Sequence, residues 1–159
     1  MVKDLVLSRT VAAAIGAPAG RCWQNAARAV LALAHDLPVV YVEGFITTDD
    51  GDVIAHGWVE TAGSVIIDPT LADGAYGYFG GLRLPAERVE ELDLELLPLA
   101  WRRNPTPAVY REAFIAAALA IVDGWDMPVW AKALLCRGLA GVDLRRRGYV
   151  RLMPEDMSR

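Results

Sequence analysis

Cysteine is scarce in this chain: 159 residues contain two, Cys22 and Cys136. Two thiols cannot build the disulfide framework of a small secreted scaffold or a closed structural zinc site, and the two are expected to be free. Histidine is equally rare, with only His35 and His56. Cys22, His56 and Asp68 are ligand types that zinc accepts, but the close-spaced pairs that seed a metal centre are missing. No metal and no cofactor is expected. An excess of basic charge is also lacking. Sixteen Lys+Arg against 20 Asp+Glu give a net charge of -4, which supplies no field for a phosphate backbone, so nucleic acid is not an expected partner.

Long hydrophobic runs are absent too. The stretch from Ala113 to Val122 is far shorter than a bilayer requires, and no membrane association is expected. The opening twenty residues imitate a signal peptide, but Asp4, Ser8, Arg9 and Thr10 interrupt the apolar segment. Val11–Ile15 alone is too short for its hydrophobic region. These absences together lead us to expect a cytoplasmic protein.

What the chain does have is core-forming material: 54% hydrophobic residues, 23% charged, and a mean hydropathy of +0.26. That composition excludes disorder over most of the length, and 159 residues suit a single domain over 1–159. We place its core at 11–85 and a helical C-terminal part at 107–140. There is no internal repeat or domain-splitting linker.

Leu5, Val6, Val11, Ala12 and Ile15 have loose helical spacing, which Gly16-Ala17-Pro18-Ala19-Gly20 interrupts. From Arg21 to Ala34 the residues are helix formers without a breaker until Pro38, so a helix is expected to start at or beside Cys22. Three strands follow, Val39–Thr47, Val53–Thr61 and Ser64–Asp68, as an antiparallel meander divided by turn signals at Asp49-Asp50-Gly51-Asp52 and Ala62-Gly63-Ser64. Residues 71–106 read as loops with room for a short strand or helix. A helix follows Pro107 and stops at Gly124, a second covers 128–140, and 143–159 reads as an irregular tail.

A cysteine at a helix N-terminus sits in partial positive charge, which favours its thiolate form. A nucleophile also needs a base, and the base an orienting group. His35 ends the same helix, roughly 20 Å away at about 1.5 Å per residue, and is out of reach. His56 lies 34 residues downstream on a strand, and Asp68 12 residues beyond it across a hairpin. With the turn near Gly63, position 56 faces 69 or 70, so Asp68 falls within about one pair of His56. Strand alternation puts His56, Trp58 and Glu60 on one face, Gly57 and Val59 on the other.

The order Gly20-Arg21-Cys22-Trp23-Gln24-Asn25-Ala26, then His56-Gly57-Trp58, then Val65-Ile66-Ile67-Asp68-Pro69-Thr70 resembles the transglutaminase-like branch of the papain-like cysteine peptidase superfamily. The resemblance spans about a third of the chain, from Gly20 to Thr70. It implies a papain-like α+β fold, with the Cys-bearing helix packed on an antiparallel sheet. It also implies a peptidase, amidase or deamidase, or an acyltransferase, that works through a thioester acyl-enzyme. In that reading Cys22 is nucleophile, His56 general base and Asp68 the orienting carboxylate, and the substrate is a peptide, protein or small amide. An oxyanion would be met by the Cys22 backbone N–H and a side-chain donor, for which Gln24 is the candidate. Asn25, one turn beyond Cys22, either lines the site or caps a neighbouring loop. Trp58 shares the histidine's face and is the third candidate for substrate contact.

Each residue also has a plainer reading: Cys22 as a small buried hydrophobe, His56 as a strand histidine, Asp68 as a turn residue before Pro69. Cys136 reads as core, Glu43 as an outward-facing charge, and Arg145-Arg146-Arg147 as a solvated face. Trp58, Tyr76, Tyr78, Phe79 and Trp101 read as core more readily than as a cleft wall. The rival functions are a catalytically silent binding module with the same fold, and an interaction protein whose C-terminal helices form a homodimer surface.

Overall fold

The structure is a computed structural model that describes residues 1–48, 52–74, 76–99, 108–123 and 149–151. The expected helix at 128–140, Cys136, Trp101 and Arg145-Arg146-Arg147 lie outside the described residues. The elements run β1 (Val2–Lys3), α1 (Leu5–Ile15), α2 (Cys22–Leu33), β2 (Val39–Thr47), β3 (Asp52–Thr61), β4 (Val65–Ile67), β5 (Gly77–Pro85), α3 (Ala86–Glu90), a 3-10 turn (Leu94–Leu96), α4 (Ala108–Val122) and β6 (Tyr149–Arg151). The fold is α+β around one mixed sheet of order β1-β4-β3-β2-β5, with β6 alongside β3. None of the described helices is long and apolar enough to cross a membrane.

The helix starting at Cys22 and the β2–β3–β4 meander stand where the sequence places them, within a residue or so. Three expectations are corrected. The sheet is not purely antiparallel, because Val2 and Lys3 pair parallel to Val65 and Ile66. Residues 77–85, read as loop with room for a short strand, form a nine-residue edge strand: Tyr78, Leu82 and Leu84 are buried, and the two glycines at 80 and 81 mark a register shift opposite Glu43/Gly44. Clustered glycines read as loop in sequence, yet in a sheet they accommodate an irregularity. The expected tail contributes Tyr149–Arg151, which pairs with Ile54, Val53 and Asp52, since a long strand edge offers unpaired N–H and C=O groups.

Local chemistry explains the helix ends. Asp4 caps α1 by accepting from the Leu7 N–H at 2.8 Å, and Gly16 ends it in the left-handed region at φ 58°. α2 begins without a side-chain cap from Arg21.

The sheet is buried on both faces. One face carries Tyr41, Phe45, Val59 and Ile67 against α1, α2 and α4, with the fully buried Ala26, Ala27 and Ala29 letting α2 lie close. The other holds a smaller cluster of Val42, Ile46, Trp58, Ile66 and Tyr78, with Leu71 and Tyr76 packed onto it.

Two glycines are dictated by close approach. A Cβ on Gly44 would stand 2.2 Å from the Phe79 carbonyl and 2.7 Å from the Trp58 ring, so only glycine leaves room for that indole. A Cβ on Gly57 would meet Trp23 Cα at 3.0 Å and the Cys22 carbonyl oxygen at 3.3 Å. Gly57 therefore sets how closely the first turn of α2 approaches β3. Gly57→Ala should destabilise the fold by about 1–3 kcal/mol through overpacking, read as a lower urea midpoint with an unchanged m-value. An unaltered midpoint would contradict that contact.

Candidate active site

Cys22 is the first residue of α2 and 8% exposed. His56 lies mid-way along β3, 3% exposed, and Asp68 follows β4 with no exposed surface. The edge of β3 explains how they meet. β4 pairs with Val59 and Glu60, and β6 pairs with Asp52 to Ile54. Between them, Ala55 to Trp58 has no strand partner on that side among the described residues, and the start of α2 presses on this stretch at Gly57.

The imidazole joins the other two groups. His56 Nε2 lies 2.9 Å from Asp68 Oδ2, and the Cys22 side chain is near enough to the ring to help raise its pKa. With Nε2 committed to the carboxylate, Nδ1 is the nitrogen left for the thiol. Trp58 stacks beside the imidazole, centroids 6.4 Å apart and planes 16° apart. Its indole N–H donates to Glu60 Oε1 at 3.1 Å, and Arg83 grips both Glu60 oxygens at 2.9 and 3.2 Å.

Asp68 is satisfied on every side. Oδ2 accepts from the Tyr78 hydroxyl at 2.8 Å as well as facing His56, and Oδ1 accepts the Thr70 and Leu71 N–H groups at 3.0 Å. Its own N–H donates to Ser8 Oγ at 3.0 Å, and that hydroxyl donates to the Asp4 carbonyl at 2.6 Å. Lys3 Nζ clamps the same loop, donating to the Leu71 carbonyl and, at 2.7 Å, to that of Gly74. It lies over the rings of Tyr76 and Tyr78, 5.4 and 6.0 Å from their centroids.

The ionisation follows from these contacts. Burial alone pulls the imidazole down, but its interactions with Asp68 and Cys22 outweigh that and raise His56 to about 9. Burial likewise pushes the Asp68 carboxyl up, and the His56 contact with the Leu71 and Tyr78 bonds brings it below its ordinary value. Burial and the Asp68 charge push the Tyr78 phenol well up. The pair is thus an imidazolium facing a carboxylate at neutral pH.

The remaining candidates divide. Gln24 is half-buried at the open end of α2 and makes one long bond, Nε2 to the Leu94 carbonyl at 3.4 Å. Asn25 is fully buried, and its amide ties the Pro18 carbonyl (2.8 Å) to Thr70 Oγ1 (2.9 Å). It joins the loop before Cys22 to the loop after Asp68, and its Oδ1 has no partner among the described residues. Trp58 has no exposed surface, so it bears on the site through the imidazole it stacks on.

Glu43 is not an outward-facing charge. It is fully buried, accepting from the Tyr41 hydroxyl and the Leu99 N–H, each at 2.7 Å. The sequence signal was an acid between Tyr41 and Phe45 on one strand face, in a strand apolar on both sides. Ser8 and Lys3 escaped sequence reading altogether, since nothing local links them to Asp68.

The two shifted groups give stability a pH profile. The His56 value rises from 6.5 to about 9 on folding, so its contribution is complete below pH 6.5 and lost as pH climbs through 9. Asp68 is lowered, so its contribution is present above the ordinary carboxyl value and lost in acid. Urea unfolding should show a plateau near pH 5–6.5 and an alkaline decline of up to about 3 kcal/mol by pH 9. Asp68→Asn should flatten that decline; a wild-type profile level from pH 6.5 to 9 would refute the pair. Comparison of the chain with known proteins yields no match among family models, curated proteins or solved structures.

Proposed function

We propose that this protein is a cysteine-dependent hydrolase or acyltransferase acting on an amide or ester carbonyl, built on a papain-like, transglutaminase-like core. The observation that carries the reading is the buried His56 imidazole, bonded to a carboxylate with every oxygen engaged and raised in pKa by both that carboxylate and a cysteine opening a helix. A structural histidine needs no such pair of partners; a general base does.

The chemistry follows in order. With the proton already resting on His56, the Cys22 sulfur attacks the carbonyl carbon, moving its π electrons onto oxygen. The oxyanion is met by the Cys22 backbone N–H at the uncapped end of α2, with the Gln24 amide beside it. The tetrahedral intermediate collapses, expelling an amine or alcohol that takes the proton back from the imidazolium and leaving a thioester on Cys22. Water or an acceptor amine, deprotonated by His56, then attacks the thioester, and collapse of that intermediate releases the Cys22 sulfur beside the reprotonated imidazole. Asp68 keeps the ring oriented and stabilises its charge throughout.

The low exposure of Cys22 favours one second reading, a binding module that keeps the constellation without turnover. Alkylation by iodoacetamide, followed by mass spectrometry of the Cys22 peptide across pH, separates the two. For an enzyme, modification should persist at pH 6 and slow about tenfold or more in His56→Ala, with a smaller loss in Asp68→Asn. A slow profile indifferent to both variants would leave the binding module. Cys22→Ala should fold normally and turn over no p-nitrophenyl ester or peptide amide; wild-type turnover by that variant would overturn the assignment.

A further inference from the structure

We propose that Tyr78 is a positioning residue of this site: its hydroxyl shares Asp68 Oδ2 with His56 and so sets how tightly the carboxylate grips the imidazole. The inference rests on the reading of Cys22, His56 and Asp68 given above. Tyr78 stands on β5, where it pairs with Ile46, and β3 and β2 separate it from β4 in the sheet. Its ring is 8% exposed and packs edge-on against Trp58, centroids 5.2 Å apart. Packing alone would be met by phenylalanine. The hydroxyl is instead spent at 2.8 Å on the one oxygen that His56 uses at 2.9 Å, while the other oxygen is occupied by two backbone amides.

A carboxylate oxygen that divides its charge between two donors holds each less strongly than it would hold one alone. Tyr78 therefore moderates the His56–Asp68 pair. Without the hydroxyl, Oδ2 serves the imidazole alone, and the protonated ring gives its proton to a leaving group less readily. The other ionisable groups around the pair are Cys22 on α2, Lys3 on β1 over the Tyr78 ring, Tyr76 and Asp73 in the loop after Asp68, and Glu60 on the strand face of His56, tied to Arg83. On the opposite face Glu43 binds Tyr41, whose phenol senses Cys22. None of these contacts is altered by Tyr78→Phe.

The test is the His56 imidazole titration by NMR in Cys22→Ala protein, with and without Tyr78→Phe. The midpoint should rise by about half to one pH unit in Tyr78→Phe, and Tyr76→Phe should leave it in place. In an Asp68→Asn background Tyr78→Phe should have no effect, because the coupling runs through the carboxylate. An unchanged midpoint in the first comparison, or an equal shift with Asp68→Asn present, would overturn the proposal. Because Cys22 is absent from this titration, it reads the coupling even where the alkylation experiment fails, so the two failures are distinguishable.

Discussion

A carboxylate without water is the constraint on which the site depends. Removing an ion such as Asp68 from solvent costs several kcal/mol unless its lone pairs are all engaged. The protein meets that cost with donors drawn from separate elements: His56 from β3, Tyr78 from β5, and the Thr70 and Leu71 amides from its own loop. Ser8 of α1 fixes the backbone behind it, and Lys3 of β1 clamps the loop ahead of it. The parallel pairing of β1 with β4 acquires a purpose in this light. It holds the lysine where the Asp68 loop must be closed.

The second constraint is steric. The imidazole lies on one face of the sheet and α2 packs on the other, so the start of α2 approaches His56 beside the stretch of β3 that has no strand partner on that side among the described residues. This demands a residue without a side chain at position 57 and a run of alanines on the helix face. Small residues here do what large ones do elsewhere in a core: they determine distance. Gly44 repeats the logic on the reverse face, where the indole that stacks on His56 needs the space above β2.

Much of this was legible in the sequence because it is local. The start of α2 at Cys22, the strand limits and the shared face of His56 and Trp58 follow from propensity, turn residues and alternation. The hairpin is also close to its expected register. Val59 faces Ile67 and Glu60 faces Ile66, which extends to Trp58 opposite Asp68 and leaves the carboxylate to reach His56 along the same face. What was not legible depends on contacts between distant residues. Ser8 and Asp68 are 60 positions apart, Lys3 and Leu71 68, and no periodicity in either segment signals the other. β5 was obscured by its glycines, and β6 by a polar, arginine-rich context. Glu43 was misread because an acid on a strand is ordinarily solvated, and only its apolar neighbours on the same face argued otherwise.

Glu43 also shows how the two faces share the work. Asp68 and Glu43 are both fully buried acids, on opposite sides of the same sheet, and only Asp68 faces the imidazole. Glu43 accepts from the Leu99 N–H and so ties the segment after the 3-10 turn down onto β2. The 3-10 turn itself takes the Gln24 amide on Leu94 and approaches Arg21 through Glu95 at 3.5 Å. The turn and the residues after it therefore lie beside the N-terminal end of α2. Asp68 anchors the imidazole, while Glu43 anchors the backbone at Leu99. The two buried carboxylates thus serve separate parts of the structure, one the ring on β3 and the other the chain that follows the 3-10 turn.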